Sequence, residues 1–206
     1  GVTGTFAGSV FTISGTPNIA GIFNYTVTTT GGCSSASLSG TINVNPNVTI
    51  ALSSANNIQT VCVSTPIAAI NYAVANVGPA GATVTGLPAG VTGSYNSTTG
   101  VFSITGTPLA AGVFNYTVTT SGGCSSANAT GTINVDPNAT IVLTTTGADN
   151  QVVCITTAIT PVVFTVGNGA TGAAITSGGL PLGVTGAFNS VAGTFTVSGT
   201  PTSAGT

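Results

Sequence analysis

The sequence lacks the residue types on which most protein chemistry depends. Its 206 residues contain no Lys, no Arg and no His, and Asp136 and Asp149 are its only acidic residues. General acid–base catalysis draws on His, Asp, Glu or Lys, and a nucleophilic Ser or Cys needs a neighbouring base to activate it. With only two aspartates and no His, Lys or Glu, this sequence cannot supply either arrangement. We therefore expect that the protein is not an enzyme and has no catalytic residues.

The same absences exclude several classes of ligand. Proteins bind nucleic acids through clustered Lys and Arg side chains, so no nucleic-acid partner is expected. A site for a hard cation needs several converging carboxylates, whereas the only two here lie thirteen positions apart. We expect no metal ion and no other cofactor.

Long apolar runs are also missing, although 42% of the residues are hydrophobic. The window 66–84 is interrupted by Asn71, Asn76, Gly78 and Pro79, whereas a spanning helix needs about 20 consecutive apolar residues. We therefore expect no membrane insertion. Disordered chains combine low hydrophobicity with high charge, which is the reverse of this composition, so we expect ordered, all-β structure.

Self-similarity is the strongest pattern in the sequence. The repeated motifs are GVTG at 1–4, 90–93 and 183–186, then (I/V)(S/T)GTP at 13–17, 104–108 and 197–201, FNYTVTT at 23–29 and 114–120, and GGCSSA at 31–36 and 122–127. The motifs recur every 91–93 residues, which suits an independently folded β-sandwich better than a solenoid repeat. Because the first four residues already belong to a repeat, we expect the chain to be an interior piece of a larger secreted polypeptide.

Short β-rich stretches predict the strands of one complete copy. They are 48–54, 59–65, 70–77, 82–87, 101–106, 113–120 and 129–135, and Gly, Pro, Asn or Ser separates most of them. Seven such strands predict an immunoglobulin-like β-sandwich. Alternation places Phe114, Tyr116 and Val118 on one face of their strand, and we expect them in the core. A sugar-stacking platform is the alternative.

Proline-containing tripeptides mark the predicted boundaries at 45–47 and 136–138, because proline interrupts strand pairing. They divide the chain into an N-terminal segment (1–46, the second half of a repeat), a middle segment (47–136, a complete repeat) and a C-terminal segment (137–206, the first part of a third). The two outer segments are incomplete as sandwiches. Either they continue in a longer repeat array, or neighbouring chains complete them by donating strands.

The stretch 86–119, GLPAGVTGSYNSTTGVFSITGTPLAAGVFNYTVT, resembles the Ig-like and cadherin-like repeats of bacterial surface proteins. Together with GGCSSA and the strand after it, the pattern is similar to the Ig-like and PKD-like repeats of giant Bacteroidota cell-surface adhesins, which are exported by type IX secretion. The resemblance implies an extracellular location and a spacer role, and specifies no ligand. Related cadherin-like repeats often carry acidic calcium-binding motifs, and nothing equivalent occurs here.

The four cysteines allow two pairings. Proximity in sequence favours Cys33–Cys62 and Cys124–Cys154. However, the turn that carries Cys33 is expected at the far end of its own domain, about 30–40 Å from Cys62 by strand rise, whereas a disulfide needs Cα atoms within about 7 Å. We therefore predict a Cys62–Cys124 bridge, with Cys33 and Cys154 as half-bridges to residues outside the sequence or in a neighbouring chain. Such bridges imply an oxidising compartment.

Three functions fit this sequence. The leading hypothesis is a structural stalk of a long cell-surface adhesin or fibre, whose partners are the adjacent repeats of the same chain. The second is a self-assembling filament subunit, completed by strand or domain sharing between chains. The third is an Ig-like module that binds surface glycans through loops such as 76–82 or 145–151.

Overall fold

The computed structural model describes residues 1–79 and 81–205, and the regular secondary structure assigned in that part consists of β-strands. None of the described residues forms a helix that is long and apolar enough to cross a membrane. The strands are β1 (Val2–Ala7), β2 (Val10–Gly15), β3 (Gly21–Thr28), β4 (Ser37–Val44), β5 (Thr49–Leu52), β6 (Ile58–Cys62), β7 (Ile70–Ala75), β8 (Ala82–Thr85), β9 (Val91–Asn96), β10 (Val101–Gly106), β11 (Gly112–Thr120), β12 (Asn128–Asp136), β13 (Thr140–Leu143), β14 (Val162–Gly167), β15 (Val184–Asn189) and β16 (Thr194–Gly199).

By their internal contacts the residues divide into two compact units. One unit comprises Gly1–Gln59, Ile67–Gly106 and Phe114–Ile133, and the other comprises Thr60–Pro66, Thr107–Val113 and Asn134–Thr206. The boundaries predicted at 46/47 and 136/137 stay a prediction.

The middle segment forms two four-stranded sheets, with strand orders β5-β7-β10-β9 and β6-β12-β11-β8. The buried residues of β7 and β11 alternate with more exposed ones, as period-two strands require when one face is buried. Ile70, Tyr72, Tyr116 and Val118 are at most 1% exposed. The sequence therefore folds here as an immunoglobulin-like β-sandwich, as predicted.

The strand β6 runs parallel to β12, the last strand of the sandwich. The Thr132 amide donates to the Asn57 carbonyl oxygen at 2.9 Å, and the Val63 amide donates to the Asp136 carbonyl oxygen at 2.9 Å. From the first bond to the second, the partner on the β6 side moves from Asn57 to Val63, and the partner on β12 moves from Thr132 to Asp136. Both strands therefore run in the same direction, which is the pattern of a parallel ladder. The second strand of the sandwich is thus hydrogen-bonded directly to its last strand.

All seven strands predicted for the middle segment are present, and an eighth, β9, was missed. It begins at the second residue of the GVTG motif and contains Gly93, and glycine weakens a strand pattern. In the structure Gly93 lies under the Phe102 ring, so that an added Cβ would meet the ring at 2.6 Å. The glycine is there because the aromatic ring packs directly on the backbone.

The outer segments contain the strands of partial sandwiches. The N-terminal segment consists of two hairpins, β1-β2 and β3-β4. The C-terminal segment forms one four-stranded sheet of order β13-β14-β16-β15, which repeats the order β5-β7-β10-β9 of the middle segment. The chain is thus a tandem array of immunoglobulin-like β-sandwich repeats with a period of 91–93 residues.

Candidate functional surfaces

The centre of the middle sandwich holds a buried hydroxyl pair. The hydroxyls of Tyr72 on β7 and Tyr116 on β11 lie 2.9 Å apart, and the Tyr116 hydroxyl also donates to the Asn57 carbonyl oxygen at 3.2 Å. With that donation fixed, the Tyr72 hydroxyl donates to Tyr116. Both buried hydroxyls have hydrogen-bond partners. The bond between them links the two sheets at the polar ends of the two tyrosine side chains.

Burial raises the pKa of Tyr116 far above its ordinary value. Desolvation disfavours the phenolate. The hydroxyl therefore stays protonated and available as a donor over the whole range of pH in which proteins normally work.

The aromatic residues of β11 are part of this core, as the alternation predicted. Tyr116 is 1% exposed and Phe114 is half-buried, which leaves no aromatic platform for a sugar on this strand. Their counterparts on β3 differ, since Phe23 is 45% and Tyr25 is 38% exposed.

Each of the four cysteines, all of which lie among the described residues, is a free and exposed thiol. The predicted Cys62–Cys124 bridge is therefore absent from this structure. The partners predicted for Cys33 and Cys154, beyond this sequence or in a neighbouring chain, stay predictions.

The strand layout explains why the Cys62–Cys124 prediction fails. An immunoglobulin-type bridge joins cysteines that face each other across the two sheets, whereas β6, which carries Cys62, pairs edge to edge with β12. Cys62 therefore lies beside the C-terminal end of β12, and Cys124 lies in the turn that precedes its first residue, Asn128. The nine residues of β12 span roughly 26 Å at the usual strand rise, far beyond the reach of a disulfide.

A glutamine clamp recurs in the middle and C-terminal segments, and the sequence reasoning missed it. The Gln59 amide nitrogen donates to the carbonyl oxygens of Asn56 (3.1 Å) and Ala68 (2.8 Å), while its oxygen accepts from the Ala68 amide (2.9 Å). Gln151 makes the same three bonds to Ala148 and Thr160. The sequence contains a signal for this clamp, because Gln59 and Gln151 occupy equivalent positions of two successive repeats.

The remaining candidate residues do not form a chemical site. Asp136 and Asp149 are exposed, and the described residues contain no group of three or more His, Cys, Asp or Glu side chains that could hold a metal ion. Of the two loops predicted to bind glycans, 76–82 includes Ala80, which lies outside the described residues. The loop 145–151 contains Gln151, which is engaged in its clamp. Glycan binding stays a prediction.

No family model and no curated protein matches this sequence. Similar solved structures include domains 4 and 5 of the S-layer protein SbsC (19% identity, TM-score 0.32, covering 48% of this chain and 58% of that chain). They also include an endo-fucoidan hydrolase of glycoside hydrolase family 107 (18%, 0.33, covering 97% and 33%) and Dpr2 Ig1-Ig2 in complex with DIP-Theta (10%, 0.34, covering 75% and 87%). This chain thus spans 58% of the SbsC fragment and 33% of the hydrolase. The immunoglobulin-like fold class rests on the strand order described above.

Proposed function

We propose that this chain is a structural stalk segment of a long extracellular, cell-surface adhesin or fibre, with no catalytic activity of its own. The observation that carries the proposal is the parallel pairing of β6 with β12. Its two end bonds, Thr132 to Asn57 and Val63 to Asp136, are both 2.9 Å long. A stalk has to resist tension along the chain, and the pairing of β6 with β12 provides hydrogen bonds that oppose such tension.

Tension on the middle segment pulls the start and the end of the repeat in opposite directions. Once the force has reached β6 through β5, which pairs with β7 in the opposite sheet, it slides the adjacent and parallel strands β6 and β12 past each other. The hydrogen bonds of the ladder are then loaded together, in shear, rather than opened one after another. A repeat of this kind gives way only when several bonds break at once.

The surface chemistry supports the same role. The outer faces of the hairpins carry side chains that satisfy one another, such as Thr26 with Ser39 at 2.8 Å and Thr132 with Asn115 at 2.9 Å. With no Lys or Arg in the chain, there is no peptide bond for a protease that cuts after those residues. The proposed partners are the adjacent repeats of the same long chain.

Single-molecule stretching tests the proposal on the full 206-residue chain held by terminal handles. We expect one high-force event that releases on the order of 300 Å, the extended length of a repeat of this size. The variant Val63→Pro removes the donor to Asp136, and we expect it to lower the unfolding force clearly. Val63→Ala keeps the amide and serves as the matched control. Unfolding of the parent chain at the low force of a randomly loaded hairpin would contradict the proposal.

A further inference from the structure

An asparagine clamp recurs where the chain enters the first strand of a repeat. The Asn76 side-chain amide donates to the Asn47 carbonyl oxygen at 2.9 Å, and the Asn168 side-chain amide donates to the Asn138 carbonyl oxygen at 2.9 Å. Each acceptor follows the proline of a boundary tripeptide and lies two residues before β5 or β13 begins. The clamp therefore ties the end of the tripeptide to the repeat that follows it.

The two clamp asparagines share a backbone conformation and are both accessible to water. The φ angles of Asn76 and Asn168 are 59° and 58°, in the left-handed region that asparagine tolerates better than most residues. Both residues are exposed. Asn76 is exposed although its sandwich has both of its four-stranded sheets, so the exposure belongs to the clamp position itself.

The residue that follows the clamp differs between the two repeats. Asn76 is followed by Val77, whereas Asn168 is followed by Gly169, and no other asparagine in the sequence precedes a glycine. The backbone nitrogen of the following residue can attack the side-chain amide carbon of an asparagine. A side chain branched at Cβ, as in valine, obstructs that approach, and glycine has no Cβ. The two clamps thus make the same hydrogen bond but differ in chemical durability.

The turn around Asn168 leaves the attacking nitrogen free. Asn168 and Gly169 have φ angles of 58° and 76°, which is typical of the two central residues of a type I′ turn. The bond that closes this turn runs from the Ala170 amide to the Gly167 carbonyl oxygen at 3.4 Å. It does not use the Gly169 amide, so that nitrogen can react without breaking the closing bond.

We propose that Asn168 is a site of spontaneous deamidation, and that the reaction releases the Asn138 carbonyl from its clamp. The Gly169 nitrogen bonds to Asn168 Cγ, the Cγ–Nδ2 bond breaks, and the proton given up by Gly169 leaves with the side-chain nitrogen as ammonia. The five-membered succinimide ring that results takes up one water molecule and opens to aspartate or iso-aspartate. Water is the only co-reactant. This modification goes beyond the proposed stalk function and does not depend on it.

The product cannot keep the clamp. A carboxylate is an acceptor only, so at position 168 it offers no donor to the Asn138 carbonyl oxygen and instead repels it. The new negative charge adds to a formal net charge of −2. Because ammonia is lost to the solvent, the reaction runs in one direction, and the clamped fraction falls with the age of the chain.

Two other asparagines precede serine, which is the next smallest obstruction among the following residues. They are Asn96 and Asn189. The side-chain oxygen of each accepts from two backbone amides, at 2.9 and 3.2 Å for Asn96 and at 3.0 Å twice for Asn189. These bonds hold each side chain in one orientation within its loop. We therefore expect both residues to deamidate more slowly than Asn168.

The test is peptide mapping of the full chain after ageing at neutral pH in water labelled with heavy oxygen. A protease that cuts after aromatic residues is used, because the chain has no Lys or Arg, and the peptide that begins after Phe164 contains Asn168. We expect this peptide to take up the label and to appear in aspartate and iso-aspartate forms. The peptide with Asn76 from the same sample should stay unlabelled. An unlabelled Asn168 peptide, or equal labelling of the two, overturns the proposal.

Exchanging the following residues tests the cause. Val77→Gly should make Asn76 take up label as well, and it is expected to fold because glycine adopts any φ. Gly169→Ala should slow the labelling of Asn168, although alanine is strained at a φ of 76°. The Val77→Gly arm therefore decides on its own. If Asn76 stays unlabelled in that variant while Asn168 reacts, the following residue is not the cause and the proposal fails.

Hydrogen exchange tests the release of the clamp. Asn168→Asp places the product's carboxylate in the chain without ageing. We expect the amides of β13, whose first residue Thr140 pairs with Gly167 beside the clamp, to exchange roughly fivefold faster, as the loss of one ordinary hydrogen bond implies. The control Asn189→Asp adds the same charge and keeps the accepting oxygen, so β13 should be unchanged. Unchanged exchange of β13 in Asn168→Asp would overturn the release even if Asn168 deamidates.

Discussion

The hydroxyl of Tyr72 bonds to the hydroxyl of Tyr116 at 2.9 Å across the two sheets of the middle sandwich. Tyr116 also donates to the Asn57 carbonyl oxygen, so that it has two partners, whereas this pair gives Tyr72 one. The chain carries Phe164 at the position of Tyr72 in its next repeat. The two tyrosines are therefore not equivalent in what their hydroxyls contribute.

This asymmetry predicts unequal costs of removing the two hydroxyls. Tyr72→Phe removes one hydrogen bond and leaves Tyr116 bonded to Asn57, so we expect a loss of about 1 kcal/mol in the free energy of unfolding. Tyr116→Phe leaves the Tyr72 hydroxyl buried without a partner and should cost about 2–3 kcal/mol. The double variant should cost less than the sum, because the two residues share a bond.

Hydrogen exchange of the slowest amides of β11 and β12 measures these costs within the middle sandwich, independently of the outer segments. The neighbour variant Thr117→Ala, at a half-buried position on the outer face of β11, is the control and should change exchange little. Equal costs for the two tyrosine variants would contradict the hydrogen-bond assignment.

The raised pKa of Tyr116 predicts that the middle sandwich loses stability in alkali. Burial raises its pKa above the ordinary tyrosine value near 10. The unfolded chain therefore loses this proton first. Stability from this group is fully present below about pH 10 and falls as the pH rises above it.

Unfolding in urea at a series of pH values, with tyrosinate absorbance as the signal, measures the alkaline effect. Tyr116→Phe should flatten the dependence above about pH 10, while the other tyrosines contribute alike in both proteins. If the parent chain and the variant show the same slope, Tyr116 is not the group responsible.

The free thiols predict a simple chemical result. Under native conditions without reductant, an alkylating reagent should modify Cys33, Cys62, Cys124 and Cys154, because all four are exposed. A double variant Cys62→Ser/Cys124→Ser should unfold at the same temperature as the parent chain. Peptide mapping after digestion with a protease that cuts at aromatic residues checks the pairing, and a linked Cys62–Cys124 peptide would contradict the strand layout.

The glutamine clamp predicts a local loss at the loop between β6 and β7. Gln59→Ala removes the acceptor of the Ala68 amide and the donor to its carbonyl, and we expect a loss of about 1–2 kcal/mol. The Ala68 amide should then exchange roughly 5–30 times faster. Thr60→Ala, the next residue on the exposed face, is the control. Unchanged exchange at Ala68 would show that the clamp contributes nothing.

Much of the fold followed from local patterns. The repeated motifs gave the period, and alternation on β11 placed Tyr116 and Val118 in the core, because a strand with one buried face must alternate. The strand β9 was missed since Gly93 resembles a turn residue. Its role depends on the Phe102 ring, which lies on the neighbouring strand β10 and cannot be seen in a local window.

The sequence by itself determined the absence of Lys, Arg and His, the repeat and the β-rich alternation, because these depend only on residue type and spacing. Only the tertiary structure decided that β6 pairs in parallel with β12 and that Cys62 and Cys124 are separated by the length of β12. Strand neighbours are chosen by contacts between residues far apart in the chain, such as Asn57 with Thr132, and no local pattern encodes them.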